Sequence, residues 1–313
     1  MSGSAAGAQE GCPDASGWTR LGAPPAGFPE IRPKDELLTV AAGWRAPGEL
    51  WGGDWYGLYH SIDCGHSWEL VTVPLGSDGV YHRRMVFLLG TDALNRVYIV
   101  RTEEAVTVTP DGGTTWQFGS GYLARDTARP SQPIYPLVLA VSSGPEPVAY
   151  ATSDMRNLRG RTGLWRTING GRTWDERNQR SFGVWVVDPR DSDVVFGSST
   201  VTLTKSTDGG GSFQPYAPLT CPDPSPPEGA ITSMAIAPDV SRFWLATTTN
   251  EVCRSLDEGR TWERLDAGPP GWPIKQLAVN PFDHRSFFAV TEDLDLWLYR
   301  ESDAPAPAQL PAE

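Results

Sequence analysis

Charge, cations and long apolar runs are all scarce in this 313-residue chain. Only 20% of its residues are charged, and 38 acidic side chains against 26 Lys and Arg leave a net charge of -12. That balance repels phosphate backbones and anionic headgroups, which excludes nucleic-acid binding as a general function. No apolar stretch approaches the ~20 residues of a membrane-crossing helix, the longest being pieces such as 85–89. We therefore expect a soluble chain without membrane insertion. The opening MSGSAAGAQEG lacks the basic start and apolar stretch of a signal peptide. This fits either a cytosolic chain or a mature exported form. No C-x-x-C, H-E-x-x-H, G-x-S-x-G or phosphate-cradling glycine motif occurs, and His60, His66, His82 and His284 show no ligand spacing. No metal and no cofactor are expected.

What the chain does have is 39% hydrophobic residues, 33 Gly, 28 Pro and 13 Trp, a composition of many turns and many packed aromatics. One pattern, Ser/Thr-x-Asp-x-Gly-x-Thr/Ser-Trp, recurs five times, at 61–68, 109–116, 167–174, 206–213 and 255–262. Asn169 replaces the aspartate of the third copy, and Phe213 the tryptophan of the fourth. The aromatics are 48, 58, 39 and 49 residues apart, within the range of propeller blades. Each copy reads as a tight corner between strands. Asp63, Asp111, Asn169, Asp208 or Asp257 accepts hydrogen bonds from turn N–H groups, glycine supplies a backbone angle unsuited to a Cβ, and the aromatic returns between neighbouring units.

Short apolar pieces precede the corners at similar offsets, at 37–41, 85–89, 136–141, 183–187, 233–237 and 276–279. They read as innermost strands buried on both faces. A second strand follows each, a third leads into the corner and a fourth leaves it, which makes a four-stranded blade. Six inner strands but five corners leave one blade short of an outer strand. The segment Trp18-Thr19-Arg20-Leu21 matches Trp262-Glu263-Arg264-Leu265 and lies 50 residues before Trp68. It is expected to complete the last blade and close the ring. The fold class is thus all-β, a six-bladed β-propeller of four-stranded antiparallel blades. Its expected boundaries are an N-terminal arm at 1–16, the propeller at 17–301 and a Pro/Ala-rich tail at 302–313.

The five corners resemble the Asp-box, or BNR, repeats of the sialidase-like propeller superfamily, which includes glycosidases, sortilin-type receptors and photosystem assembly factors. The resemblance implies that the corners lie away from the usual active site. The opposite face then carries the loops between second and third strands and the connections between blades, including Asp54, Lys275 and Glu292. Sialidases hold a substrate carboxylate with three arginines. Arg32, in Ile31-Arg32-Pro33, is the one position that echoes the first, and the remaining arginines and the tyrosine–glutamate pair have no matching motif.

Two carboxylates across a pocket, ~5 to ~9 Å apart, suffice for glycoside hydrolysis. Asp54, Glu103 and Asp154 fall on three consecutive blades of the loop face, and Glu104 adjoins the second. Trp51, Trp55 and Tyr56 are nearby for sugar stacking. The competing readings are solvated loop charges for the acids and packing for the tryptophans. Arg156, Arg159 and Arg161 crowd one loop of this acidic chain, and Tyr81 precedes His82, Arg83 and Arg84 in another. Together they suggest a basic pocket for a carboxylate, a sulfate or an acidic protein segment. Placed on the propeller, Cys12 faces Cys64 and Cys221 faces Cys253. Two disulfides would suit a secreted or periplasmic protein, and four free thiols are the alternative. The reading is a monomeric, extracytoplasmic module that recognises a glycan or protein partner, with a glycoside hydrolase as the alternative.

Overall fold

The computed structural model describes residues 12–25, 37–74, 85–101, 106–118, 136–153, 163–179, 184–198, 202–220 and 231–302. Every element in them is a strand. The first, β1 (Gly17–Arg20), stands apart from the five sequential blades that follow. Blade 1 is β2 (Thr39–Ala42), β3 (Leu50–Gly53), β4 (Leu58–Ser61) and β5 (Glu69–Val71). Blade 2 is β6 (Val86–Thr91), β7 (Val97–Arg101), β8 (Thr107–Thr109) and β9 (Gln117–Phe118). Blade 3 is β10 (Pro136–Val141), β11 (Ala149–Ser153), β12 (Gly163–Thr167) and β13 (Asp175–Asn178). Blade 4 is β14 (Val184–Val187), β15 (Val195–Ser198), β16 (Thr202–Ser206) and β17 (Gln214–Pro218). Blade 5 is β18 (Ile231–Ile236), β19 (Phe243–Thr247), β20 (Glu251–Ser255) and β21 (Glu263–Ala267). Blade 6 is β22 (Ile274–Val279), β23 (Ser286–Thr291) and β24 (Leu296–Arg300), completed on its outside by β1. Trp18 sits opposite Tyr299 in that last antiparallel pair. The six-bladed architecture and its N-terminal closure are those the repeats predict.

The core is divided among the seams between blades rather than gathered in one place. Phe196 and Leu203 of blade 4 meet Met234, Phe243 and Trp262 of blade 5. Leu37, Val40 and Leu50 of blade 1 meet Phe288, Val290 and Leu298 of blade 6, which closes the ring on apolar surface. Such burial is the main stabilising term, at about 25 cal/mol per Å² of apolar area removed from water.

Each corner between third and fourth strands carries the same hydrogen bonds. In the first, Ser61 Oγ donates to Asp63 Oδ1 at 2.8 Å and accepts from Gly65 N at 2.9 Å. Ser67 donates its N–H to Asp63 Oδ1 and its hydroxyl to Asp63 Oδ2. In the third corner Asn169 Oδ1 takes the Thr173 N–H, while Asn169 Nδ2 donates to Thr173 Oγ1, so the hydroxyl bond is reversed and kept. Gly171, Gly210 and Gly259 have φ of +83°, +84° and +83°. A Cβ there would also meet Val108, Leu164 or Leu203 of the preceding blade at 2.7, 2.6 and 2.8 Å. Glycine is therefore required twice, by backbone angle and by blade-to-blade contact.

One expectation needs correction. The innermost strands are not all buried on both faces: β2 is buried throughout, whereas β6 and β22 each have two buried residues among six. Like the other inner strands, both have an unpaired edge beside the central channel, and residues of both line its cavity.

Cys12 and Cys64 form a disulfide with Cα atoms 5.1 Å apart, tying the segment before β1 to the first corner. Cys253 is also disulfide-bonded. Its expected partner, Cys221, lies outside the described residues.

Candidate functional site

Antiparallel order sorts the loops. Turns between strands one and two share an end of the ring with the corners, and turns between strands two and three share the other end with the connections from blade to blade. Backbone bonds knit this second face together at blades 5, 6 and 1. Gly268 N donates to Asn250 O at 2.8 Å, Glu292 N to Pro273 O at 2.9 Å, and Leu37 N to Leu294 O at 3.0 Å.

Asp54 lies in the turn between β3 and β4, and its side chain is directed into that turn. Oδ1 accepts from Tyr56 N at 2.6 Å and Gly57 N at 2.8 Å, and the residue is 4% exposed. The same turn leaves Trp55 39% exposed and Tyr56 half-buried. Trp51 is not available to a ligand: it is buried at the seam of blades 1 and 2 and stacks on the His60 ring, centroids 4.2 Å apart. Arg32, His82, Arg83, Arg84, Glu103, Glu104, Asp154, Arg156, Arg159 and Arg161 lie outside the described residues.

The most exposed tryptophan on this face, Trp272 at 57%, carries no motif and was not anticipated. Its setting was the available signal, since Pro270-Gly271-Trp272-Pro273 is a connection sequence that offers no strand in which to bury the ring. Two residues beyond this run, Lys275 stands at the start of β22. Its ammonium donates to Leu38 O at 3.1 Å. Solvent reaches the side chain, yet the surrounding walls desolvate the ammonium and pull its pKa down, opposed by the charge of Glu292.

Behind this face the inner strands surround a channel with a cavity of about 140 Å³. Val40, Leu89, Leu139, Val186, Met234 and Leu277, one from each inner strand, line it. Among the described residues no group of three His, Cys, Asp or Glu side chains converges to hold a metal ion.

These observations define a six-bladed β-propeller with a central cavity and a loop-bearing face on which Trp55 and Trp272 are exposed. No family model matches the sequence, and none of the curated proteins does. Solved structures do match. YCF48 bound to a D1 peptide is 15% identical with a TM-score of 0.56, over 95% of this chain and 100% of that one. YCF48 from Cyanidioschyzon merolae is 14% identical with a TM-score of 0.53, over 91% and 99%. The GH74 xyloglucanase of Xanthomonas campestris is 15% identical with a TM-score of 0.54, over 93% of this chain and 54% of the enzyme. The chain thus spans about half the length of that enzyme, and at these identities the likeness is one of fold.

Proposed function

We propose that this chain is an extracytoplasmic recognition propeller that binds a segment of a partner protein on its loop-bearing face. The observation that carries this reading is the pair Trp55 and Trp272. Both are exposed, in loops of the same face on the neighbouring blades 1 and 6. Exposed tryptophans grouped in this way are the residue type that dominates binding energy at protein interfaces. Asp54 supports recognition over catalysis, because the carboxylate expected as acid or nucleophile is hydrogen-bonded within its own turn. The peptide-bound YCF48 structure matches over nearly the full length of both chains, which adds support from the fold. The corners are read as Asp-boxes, the disulfides as the mark of an exported protein, and the working form as a monomer. The arginines of 156–161 and 83–84 are the proposed basic part of the same surface.

A glycoside hydrolase is the second reading, favoured by the same tryptophans, which suit sugar rings, and by the xyloglucanase likeness. A peptide-display selection on the whole protein distinguishes the two. We expect enriched peptides whose affinity falls about tenfold or more in Trp55→Ala with Trp272→Ala, at unchanged thermal stability. Failure to enrich any peptide, with product release from an oligosaccharide panel that disappears in Glu103→Gln or Asp154→Asn, would replace recognition with hydrolysis.

A further inference from the structure

Of the six asparagines in the chain, Asn169 alone is followed by glycine. In such a pair no Cβ shields the next backbone nitrogen, so that nitrogen can reach the side-chain amide and expel its ammonia. The third corner engages both reacting groups elsewhere. Asn169 is exposed, and its amide is held by one residue: Oδ1 accepts from Thr173 N at 3.0 Å and Nδ2 donates to Thr173 Oγ1 at 2.8 Å. Gly170 is buried, and its N–H donates to Pro147 O at 3.0 Å. While these bonds stand, the nitrogen is turned to Pro147 and the amide to Thr173.

The acid that deamidation leaves already has a place in this fold. The second and fourth corners read Asp-Gly-Gly at 111–113 and 208–210, where the third reads Asn-Gly-Gly. Their backbones agree, with φ of +71° at Gly112, +71° at Gly170 and +68° at Gly209. Thr167 Oγ1 donates to Asn169 Oδ1 at 3.0 Å, as Thr109 Oγ1 does to Asp111 Oδ1 at 3.0 Å. Gly171 N donates to Thr167 Oγ1 at 2.9 Å, and Gly113 N to Thr109 Oγ1 at 2.7 Å. The bond that changes is the one to the Thr173 hydroxyl. It reverses, and the hydroxyl donates to the new carboxylate as Thr115 Oγ1 does to Asp111 Oδ2 at 2.6 Å.

We propose that Asn169 is a site of spontaneous deamidation, gated by opening of the third corner, whose aspartate product the closed corner holds as it holds the other four. Gly170 N attacks Asn169 Cγ and loses its proton, and the side-chain nitrogen leaves as ammonia. One water then opens the succinimide ring. Cleavage of the bond from Gly170 N to Cγ gives aspartate with the main chain intact. Cleavage at the main-chain carbonyl gives isoaspartate, which lengthens the backbone by one carbon between Thr167 and Gly171 and so disrupts their hydrogen bond. Conversion to aspartate adds a negative charge and makes the third corner titrate like its neighbours.

The test is storage of the whole protein at mildly alkaline pH, with and without urea, followed by peptide mapping with mass spectrometry. Conversion at 169 should run about tenfold or more faster in urea, where the corner is open. In the folded protein Thr173→Val removes the acceptor of Nδ2 and keeps the N–H donor to Oδ1. It should speed conversion about fivefold, the scale of one net hydrogen bond. Asn169→Asp should keep the wild-type melting temperature at neutral pH. Equal rates with and without urea, no conversion at 169 in urea, or an unmoved rate in Thr173→Val would overturn the gated site. A large drop in melting temperature for Asn169→Asp would overturn the claim that the corner holds the product.

Discussion

The side-chain amide of Gln276 mimics a strand toward Val40. Its Oε1 accepts from Val40 N and its Nε2 donates to Val40 O, each at 3.1 Å. The partners are 236 residues apart in sequence, one in the last blade and one in the first, so this pair joins the ring where the chain cannot. Inner strands present an unpaired backbone edge to the channel, and a glutamine is long enough to satisfy both groups of one residue across the seam.

Replacing Gln276 with leucine removes both bonds and leaves Val40 N and O facing an apolar side chain. We expect a loss of about 1–3 kcal/mol in unfolding free energy, set by the desolvation of two backbone groups. Equilibrium unfolding in urea measures it. Gln276→Glu should rank between wild type and leucine, because the carboxylate still accepts from Val40 N but opposes Val40 O. Wild-type stability in the leucine variant would show that the amide pairing contributes nothing to closure.

The Cys12–Cys64 disulfide acts on the same seam from outside, across a sequence separation of 52. It fastens the segment leading into β1, a strand of only four residues, to blade 1. Constraint of the unfolded chain by a loop of that size stabilises by about 3–4 kcal/mol. The paired change Cys12→Ser with Cys64→Ser should lower stability by that order. It should also make the 12–25 region the first site of limited proteolysis, since release of β1 uncovers the edge of β24. If cleavage began elsewhere at an unchanged melting temperature, the bond would not be holding the ring.

The corner aspartates tie stability to acid. Hydrogen bonds from the Ser212 N–H and hydroxyl, then from Ser206, hold Asp208 at a pKa of about 2. At Asp63 and Asp257 burial pushes upward, but bonds from Ser67 and Ser61, and from Thr261 and Ser255, outweigh it and lower the pKa. A folded pKa below the unfolded value of ~3.9 means stability that is complete above about pH 4 and lost as pH falls toward about 2. Asn169 occupies the same position with an amide that cannot titrate. We therefore expect asparagine at 63, 111, 208 and 257 together to flatten the stability profile between about pH 4 and 2. Urea unfolding at stepped pH reads this directly, and an unchanged slope would remove the corners as the acid-sensitive element.

The ring was legible in the sequence because its punctuation is local. Ser61, Asp63, Gly65 and Trp68 lie within eight residues and make one another's contacts, so the corner and its period survive in the sequence. Closure by residues 17–20 was legible because Trp18 repeats the outer-strand pattern of Trp262. The channel was not legible. Whether β22 is buried or half-exposed depends on where its free edge points, which only the assembled ring decides. Lys275 was placed on the loop-bearing face by its position between blades, but the bulge that contains it was not legible, since a bulge is a mismatch between two strands and leaves no signature in either. Asp54 shows the opposite failure: its residue type and position suited a catalytic role, and only the turn geometry reveals Tyr56 N and Gly57 N already on its carboxylate.

Asp54 also has a reporter beside it. Burial first, and then the charge and hydrogen bond of Asp54, hold the Tyr59 phenol well above its usual pKa of ~10. Asp54→Asn keeps an acceptor for the turn while removing the negative charge. Two outcomes are therefore expected together. Stability at neutral pH should fall by about 1 kcal/mol, as a charged acceptor of two N–H groups becomes a neutral one. The tyrosine absorbance titration should gain a group that ionises at lower pH than in wild type, because the anionic phenolate no longer faces a carboxylate. A catalytic Asp54 predicts something different, a variant with wild-type stability and an unmoved phenol. Were that seen, the turn bonds would be incidental, and the second reading, hydrolysis with Asp54 among its carboxylates, would regain the residue.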